Sequence, residues 1–277
     1  MPGYANVISW FRRYTLTAHC LVFLLCVGLV LQWPVAAVVV LIVYVATLGL
    51  ASMNMGMNLY VDTLRRIAPQ VAATDESSLA AVGSASAPSG GQIALTFDDS
   101  PTEGTAQVLA LLREHQVKAT FFIVGAHAQA RPDLLRQIVQ EGHAIGNHSY
   151  SHAHTLPVKG RSAILSDLQR CNQIIHEITG LTPQMYRPPF GVVNPGIAAA
   201  VQASGLPCVG WTVRSFDTVA SDPQRLLAKV LRQLEPGAIV LLHDYPAITP
   251  QVLPALLQEI RKRNLSCVAL TPEILRP

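Results

Sequence analysis

Ile93-Ala94-Leu95-Thr96-Phe97-Asp98-Asp99-Ser100 is a short apolar run that ends in two adjacent carboxylates. Apolar runs of this length are typical of buried parallel strands, which pack against helices on both faces. In α/β barrels the reactive side chains gather at the carboxyl ends of such strands. The stretch therefore predicts a central strand that places Asp98 and Asp99 at the functional edge of a sheet.

Four further strand-like runs are also followed by a side chain capable of chemistry. The runs cover residues 144–146, 185–186, 208–213 and 238–242, and the side chains after them are His148, Arg187, Asp217 and His243. Parallel strands present their carboxyl ends at one edge of a sheet. Five such runs in order along the chain therefore predict one shared site.

Segments with the apolar spacing of helices alternate with these runs. The predicted helices cover residues 105–115, 133–141, 162–179, 223–234 and 252–263, and further strands are predicted at 119–124 and 267–270. Four glycines stand where a helix would end and the chain would turn, namely Gly142, Gly180, Gly205 and Gly237. This alternation predicts an α/β fold with a parallel sheet, in one catalytic domain over residues 91–277.

The amino-terminal region has a different composition, because no Asp, Glu, Lys or Arg lies between Tyr14 and Val61. As one helix this stretch would be about 70 Å long, over twice the thickness of a bilayer core. Pro34 interrupts it, so we predict a transmembrane hairpin with spans at residues 16–31 and 35–53. A single span stays open as an alternative. A signal peptide followed by a core helix fits less well, because a signal peptide has a shorter apolar region.

Arginines flank the predicted hairpin on both sides, with Arg12 and Arg13 before it and Arg65 and Arg66 after it. The positive-inside rule then favours a cytoplasmic catalytic domain, whereas a single span would reverse its side. Residues 1–69 are thus predicted to be a membrane anchor with the lipid bilayer as its partner. Residues 70–90 are rich in Ala, Ser and Gly, which is typical of a flexible linker.

Charge and cysteine content exclude two other classes of protein. The net charge is +3 without a cluster of Lys or Arg, so the sequence predicts no nucleic-acid partner. Of the five cysteines, two lie in the first predicted span. The other three, Cys171, Cys208 and Cys267, have no paired spacing and are expected to be small buried residues without a disulfide framework.

Five ordered segments resemble the motifs of the NodB-homology polysaccharide deacetylases, carbohydrate esterase family four. The segments are TFDDS (96–100), HSYSH (148–152), RPPF (187–190), WTVRSFD (211–217) and LLH (241–243). The resemblance covers about residues 92–270 and implies a distorted (β/α) barrel, a divalent metal and hydrolysis of N-acetyl groups on amino sugars. The chain is also similar to bacterial members with two amino-terminal spans, which implies a multi-pass protein of the inner membrane.

The residues alone already suggest a metal site, since two imidazoles and a carboxylate suit zinc with one position left for water. Cobalt or ferrous iron fit the same ligands. On a helical turn His148 and His152 would share one face, but spacing alone leaves His154 as an alternative to His152. By resemblance, the metal ligands are Asp99, His148 and His152.

The resemblance also implies the catalytic roles. Asp98 is the general base, Arg187 pairs with it, His243 protonates the leaving amine, and Asp217 orients His243. A backbone N–H near Phe190 holds the oxyanion, and Leu241 lines the pocket for the acetyl methyl group. Trp211 is expected to pack in the core. Taken singly, each motif also fits a structural role, such as a helix cap formed by Asp98, Asp99 or Ser100.

Three positions depart from the family pattern. Ser100 replaces a glycine and would be strained if the backbone there has positive φ. Arg214 stands where many members have an acid, and Thr218 where many have a tryptophan. These departures leave the shape of the cleft and the sugar specificity open.

Together these features predict a metal-dependent hydrolase that removes N-acetyl groups from a cell-envelope polysaccharide or a lipid-linked glycan. One alternative is a deformylase of a lipid-linked sugar. Another is a non-catalytic, membrane-attached protein that binds carbohydrate.

Overall fold

A computed structural model of the protein describes residues 34–52, 58, 60–68 and 90–277, together with the single residues 21, 24 and 27. The first predicted span, residues 16–31, lies outside the described residues apart from these three. The predicted linker, residues 70–90, likewise lies outside them apart from Gly90.

The prediction of a multi-pass membrane protein is wrong. Helix α1, Pro34–Ser52, covers the second predicted span, but no helix among the described residues is both long and apolar enough to cross a bilayer. At ~1.5 Å per residue, α1 is about 28 Å long, slightly short of the ~30 Å hydrocarbon core. Its last residue meets the folded domain, since the Val193 N–H donates to the Ser52 carbonyl at 2.7 Å. The predicted location in the inner membrane, with the domain on its cytoplasmic side, is therefore wrong as well.

The main sheet is built around the strand β3, Gln92–Ser100. On one side of β3 lie the strands β4, Thr120–Ile123, and β5, Ala144–Asn147. On the other side lie β8, Ile239–His243, and β7, Val213–Arg214. Every pairing is parallel, and β9, Ser266–Cys267, pairs with the start of β3. The predicted parallel α/β sheet is therefore confirmed.

Shorter strands pair beside this sheet. Strand β1, Thr63–Leu64, runs parallel to β6, Cys208–Val209, and β2, Arg66–Ile67, runs antiparallel to β10, Leu275–Arg276. Tyr186 forms single bridges to Asn147 and to Cys208. The hydrogen-bonded path through the main sheet is open, from β5 to β7, so the closed distorted barrel stays a prediction.

The helices agree closely with the predicted ones. The five predicted helices correspond to these observed helices: α2 (Thr105–Glu114), α4 (Pro132–Gln140), α5 (Arg161–Thr179), α7 (Pro223–Gln233) and α8 (Ile248–Lys262). The four glycines named above all have positive φ. Gly180 and Gly205 are the C-cap residues of α5 and of the helix at Pro195–Ser204, whereas Gly237 lies in the turn between α7 and β8. Helix α8 begins four residues before its predicted start.

Two helices of the domain were not predicted. Helix α3, Gly125–Ala130, has only six residues and no side-chain cap, so the sequence carries no clear signal for it. Helix α6, Pro195–Ser204, has clear start and stop signals in the sequence. The Asn194 side chain accepts a hydrogen bond from the Ile197 N–H, Pro195 follows at the first helical position, and Gly205 ends the helix with φ +70°.

The core lies between the sheet and these helices. Phe97 of β3 and Phe121 of β4 are aligned across the pair and stack with ring centroids 5.1 Å apart. Such a pair contributes about 0.5–1.5 kcal/mol beyond its buried area. This packing fixes the relative position of β3 and β4, and with it the edge at which the aspartates lie.

Candidate metal and catalytic site

The two aspartates at the end of β3 have different partners. Asp98 is almost completely buried, and its Oδ1 lies 2.7 Å from Arg187 Nη1. Asp99 adopts the left-handed conformation, with φ +66°, and its Oδ1 lies 3.0 Å from His152 Nε2. Both carboxylates nevertheless reach one imidazole, since His148 Nε2 lies 3.8 Å from Asp98 Oδ2 and 3.5 Å from Asp99 Oδ1.

Arg187 is fully buried, and the protein satisfies its guanidinium from several directions. Besides Asp98, its N–H groups donate to the Thr96 hydroxyl at 2.7 Å, to the Val209 carbonyl at 3.2 Å and to the Gly210 carbonyl at 2.8 Å. The ring of Phe122 lies 4.0 Å from the guanidinium carbon. Burial lowers the pKa of Arg187, while the charge of Asp98 opposes that change. Arg187 therefore holds Asp98 in one fixed orientation.

Asp99 Oδ1 lies between two imidazoles. It is 3.5 Å from His148 Nε2 and 3.0 Å from His152 Nε2. This oxygen is buried and has no hydrogen-bond partner. Burial alone would raise the pKa of Asp99, but the neighbouring His148 and His152 outweigh it and hold that pKa far below its usual range.

The two histidines converge through a loop and not through a helical turn. Ser149 and His152 both have positive φ, +72° and +47°. The Asp167 carboxylate accepts hydrogen bonds from the N–H groups of Tyr150 and Ser151, at 2.7 and 3.2 Å. The His152 N–H donates to the Ser149 hydroxyl at 3.0 Å. These bonds hold both imidazoles on the same side of the loop.

The orientation of His148 is set by a backbone group. Its Nδ1 lies 2.7 Å from the carbonyl of Arg187, so Nε2 is the nitrogen that points toward Asp99. A bond from the other ring nitrogen to a carbonyl is the usual support for a metal-binding histidine. The residue that fixes Asp98 thus also fixes the tautomer of His148.

The donor set fits a divalent cation. Asp99, His148 and His152 each offer one ligand atom, and these atoms lie within 4.8 Å of one another. One oxygen and two neutral nitrogens suit zinc, and the buried, unbonded Asp99 Oδ1 is the kind of atom that a cation would satisfy. His154 is not in this group. Its ring stacks on Phe190 instead, with centroids 4.9 Å apart.

His243, at the end of β8, is anchored by Asp217. Its Nδ1 lies 2.9 Å from Asp217 Oδ1, and its backbone N–H donates to Oδ2 at 2.6 Å. The hydroxyls of Ser215 and Thr249 also donate to this buried carboxylate. Burial opposes a charge on His243, but Asp217, together with the charges of Asp98 and Asp99, outweighs burial and raises the His243 pKa. Since Nδ1 faces Asp217, Nε2 is the nitrogen left to face a substrate.

One cavity of about 400 Å³ is lined by Asp98, Asp99, His148, His152 and His243, whereas Arg187 and Asp217 do not line it. The two predicted substrate residues, Leu241 and Phe190, line it, and Phe190 holds positive φ of +61°. Trp211 packs against the core as expected, but it also lines the cavity. Five further residues form its wall. His154 was the alternative ligand, Arg214 and Thr218 are the departures from the family pattern, and Gly191 and Tyr245 were not singled out from the sequence.

Ser100 is not strained, since the positive φ falls on Asp99. The Ser100 hydroxyl donates to Asp244 Oδ2 at 2.7 Å, and the hydroxyls of Thr102 and Thr105 also donate to that buried carboxylate. Burial raises the pKa of Asp244, and the three hydroxyls oppose that change. The serine therefore ties the catalytic strand to the segment after His243.

Comparison with known proteins gives consistent matches. A polysaccharide deacetylase family model matches residues 85–209. A peptidoglycan-N-acetylglucosamine deacetylase of Listeria monocytogenes is 33% identical over 65% of this chain and 38% of its own length. A chitooligosaccharide deacetylase of Bradyrhizobium sp. is 35% identical over 55% of this chain and 70% of its own length.

A solved structure also matches. The family 4 carbohydrate esterase from Streptomyces lividans, in complex with acetate, is 31% identical with a TM-score of 0.63, over 68% of this chain and 97% of that one. The chain spans less than two fifths of the length of the Listeria relative, but it covers most of the other two proteins. The chain therefore belongs to the polysaccharide deacetylase family, carbohydrate esterase family 4.

Proposed function

We propose that this protein hydrolyses the N-acetyl group of an amino sugar within a glycan, using a divalent metal. The observation that carries the proposal is the buried, unbonded Asp99 Oδ1 facing two imidazole nitrogens, in the same cavity as Asp98 and His243. The relatives named above as deacetylases act on peptidoglycan N-acetylglucosamine and on chitooligosaccharides. A related N-acetylated glycan is the proposed substrate.

Asp99, His148 and His152 would hold the cation, with zinc favoured and cobalt or ferrous iron as alternatives. A cation bound there would polarise the acyl carbonyl and lower the pKa of a water molecule. The protein itself fixes the orientation of the two histidine ligands. The Arg187 carbonyl holds the ring of His148, and the Asp167 carboxylate holds the loop that carries His152.

Asp98 is the proposed general base. Arg187 fixes its Oδ1, while its Oδ2 lies 3.8 Å from His148 Nε2, on the side of the metal ligands. A carboxylate held there can take the proton of a water molecule as it attacks the acyl carbon. His243 is the proposed general acid, since Asp217 stabilises its protonated form and Nε2 can then protonate the departing amine.

The cavity wall supplies the substrate contacts in this proposal. Leu241 is apolar and almost fully buried at the floor, where an acetyl methyl group would fit. A backbone N–H near Phe190 is assigned to the oxyanion of the intermediate. We assign catalysis to residues 91–277, joined by residues 60–68, whose strands β1 and β2 pair with β6 and β10.

The test strips the full-length protein with a chelator and then restores zinc, cobalt or ferrous iron. We expect metal to restore the release of acetate from N-acetylglucosamine oligomers. Release of formate from N-formyl oligomers alone would support a deformylase. Glycan binding without release of either acid would support a carbohydrate-binding protein.

The variant Asp98→Asn separates the base from the metal site. We expect it to lower the rate of acetate release by 10²–10⁴-fold while metal content, measured by elemental analysis, stays at one ion per chain. The control Asp133→Asn changes an exposed carboxylate on α4 and should leave the rate unchanged. An Asp98→Asn protein with normal turnover would remove Asp98 from this role.

A further inference from the structure

Arg214 is a cation without an anionic partner on the wall of the cavity. Among the described residues its side chain forms no ion pair and no hydrogen bond, and its guanidinium contacts aromatic rings. Its guanidinium carbon lies 4.6 Å from the ring centre of Phe216 and 5.6 Å from that of Trp211. Aromatic faces orient a guanidinium while leaving its N–H donors free.

A second cation shares the same ring. Lys229 Nζ lies 3.6 Å from the ring centre of Phe216, and among the described residues it too forms no ion pair. Phe216 itself is exposed and holds positive φ of +62°, a conformation that a bulky residue rarely adopts. Two like charges at one strained aromatic residue repel each other, and a bound anion would relieve that repulsion.

The position of Arg214 is defined relative to the reaction centre. In the pairing of β7 with β8, Arg214 is aligned with Leu241, at the spacing of neighbouring strands, about 4.8 Å. Leu241 is the residue assigned to the acetyl methyl group, two residues before His243. An anion bound by Arg214 would therefore belong to the sugar in the cavity or to its immediate neighbour.

We propose that Arg214, assisted by Lys229, binds an oxyanion carried by the glycan next to the N-acetyl group that is removed. This inference rests on the proposed deacetylase function and names a class of substrate for it. A planar guanidinium binds a carboxylate or a phosphate through two parallel hydrogen bonds. Two kinds of glycan would supply this oxyanion, one with a carboxylate-bearing sugar and one with a phosphate group.

The test uses the full-length, zinc-loaded protein and three oligosaccharides of equal length. One is a neutral N-acetylglucosamine tetramer, the second carries lactyl ether carboxylates on alternate sugars, and the third carries a phosphate at its reducing end. We expect kcat/KM to be about tenfold or more higher for one anionic substrate than for the neutral one, and the ratio to fall as salt is raised. The preferred anion identifies the source.

The variants Arg214→Gln and Lys229→Gln should each reduce the ratio of anionic to neutral kcat/KM, with the larger loss for Arg214. Arg225→Gln, which changes an exposed arginine on α7 paired with Asp222, should keep the wild-type ratio. Equal kcat/KM for all three substrates, or a full preference retained by Arg214→Gln, would overturn the proposal.

Calorimetric binding of the same oligosaccharides to Asp98→Asn separates this inference from the catalytic one. If no substrate releases acetate, the deacetylase proposal fails, yet a preference for anionic oligosaccharides that requires Arg214 would still support the anion site. Equal affinity for neutral and anionic oligosaccharides would refute it.

Discussion

At the scale of single residues, the buried Asp217 carboxylate orients His243 and stabilises its protonated form. It accepts hydrogen bonds from the backbone and ring of His243 and from two hydroxyls. It is accordingly the described group that most strongly favours the protonated form of His243, against the effect of burial. Its role is to hold a proton on His243 over a wider range of pH.

Replacing Asp217 should therefore change the pH profile. A raised pKa keeps His243 protonated to higher pH, and activity that needs this proton is lost as the pH rises through that pKa. In Asp217→Asn the pKa of His243 falls, so the alkaline limb of kcat/KM should move to lower pH. The rate below the new pKa should also drop.

The measurement is kcat/KM against pH for acetate release. Thr249→Val removes one hydrogen bond to Asp217 but keeps the carboxylate, and its alkaline limb should move less. An unchanged alkaline limb in Asp217→Asn would contradict the role of Asp217 in stabilising protonated His243.

Ser100 gives a second prediction at this scale. Ser100→Gly would match the family pattern, but it removes a hydrogen bond to the buried Asp244 carboxylate. Hydrogen bonds to charged groups contribute about 1.5–3 kcal/mol, so the free energy of unfolding should fall by about that much. Denaturant unfolding measures it, and Ser221→Gly, at an exposed loop position, should cost less. A Ser100→Gly protein as stable as the wild type would argue against this bond.

Single motif residues were predictable because the chemistry restricts the choice of side chain. The structure brings the predicted Asp99, His148 and His152 together, and pairs Arg187 with Asp98 and Asp217 with His243. Tyr245 was not assigned to the site, because nothing in its local sequence reveals that it faces a cavity, and Arg214 was noted only as a departure from the family pattern.

At the scale of elements, apolar runs and glycine stops predicted the main strands and most helices. Residues 208–213 were predicted as one strand, but β6 ends at Val209 and β7 begins at Val213, with residues 210–212 outside both strands. There the carbonyl of Gly210 accepts a hydrogen bond from Arg187. The break depends on a residue distant in sequence, so no local pattern could show it.

Gly146 of strand β5 leaves room for the ring of Phe122 because it has no side chain. A Cβ added at Gly146 would lie 2.5 Å from two ring carbons of Phe122, and this ring lies against the guanidinium of Arg187. Overpacking of this kind costs about 1–3 kcal/mol. Gly146→Ala should therefore lower both the free energy of unfolding and kcat, since a displaced Phe122 disturbs Arg187 and Asp98.

Thermal unfolding and steady-state kinetics test this prediction together. Gly196→Ala is the matched control, because its Cβ would make only ordinary contacts of 3.4 Å or more and alanine favours helix α6. A Gly146→Ala protein with wild-type kcat would show that Phe122 does not position Arg187.

At the scale of the whole molecule, residues 60–68 belong with the catalytic domain. They were predicted to be part of the membrane anchor, because strands of two residues have no periodic pattern that the sequence could reveal. Their partners are far along the chain, with Thr63 aligned to Cys208 and Ile67 to Leu275. Ile67 is buried in the cluster that also contains Val209 and Leu270.

A chain that begins at residue 91 should consequently be less stable than one that begins at residue 58. Each buried aliphatic side chain that is lost removes about 1.5–3 kcal/mol, and Val61 and Ile67 are both buried. Unfolding in denaturant compares the two chains. In the full chain, Ile67→Ala should cost about 2–5 kcal/mol, whereas Leu181→Ala, at an exposed position, should cost little. Equal stability of the two chains would contradict this assignment.

The alignment of Asp98 with His243 on the neighbouring strands β3 and β8 has a wider consequence. The groups proposed to accept and to donate a proton keep their separation through the hydrogen bonds of the sheet, independently of any loop. The walls that carry Arg214, Thr218 and Tyr245 can thus diversify during evolution, or be redesigned, to admit new sugars while the bond-breaking machinery stays intact.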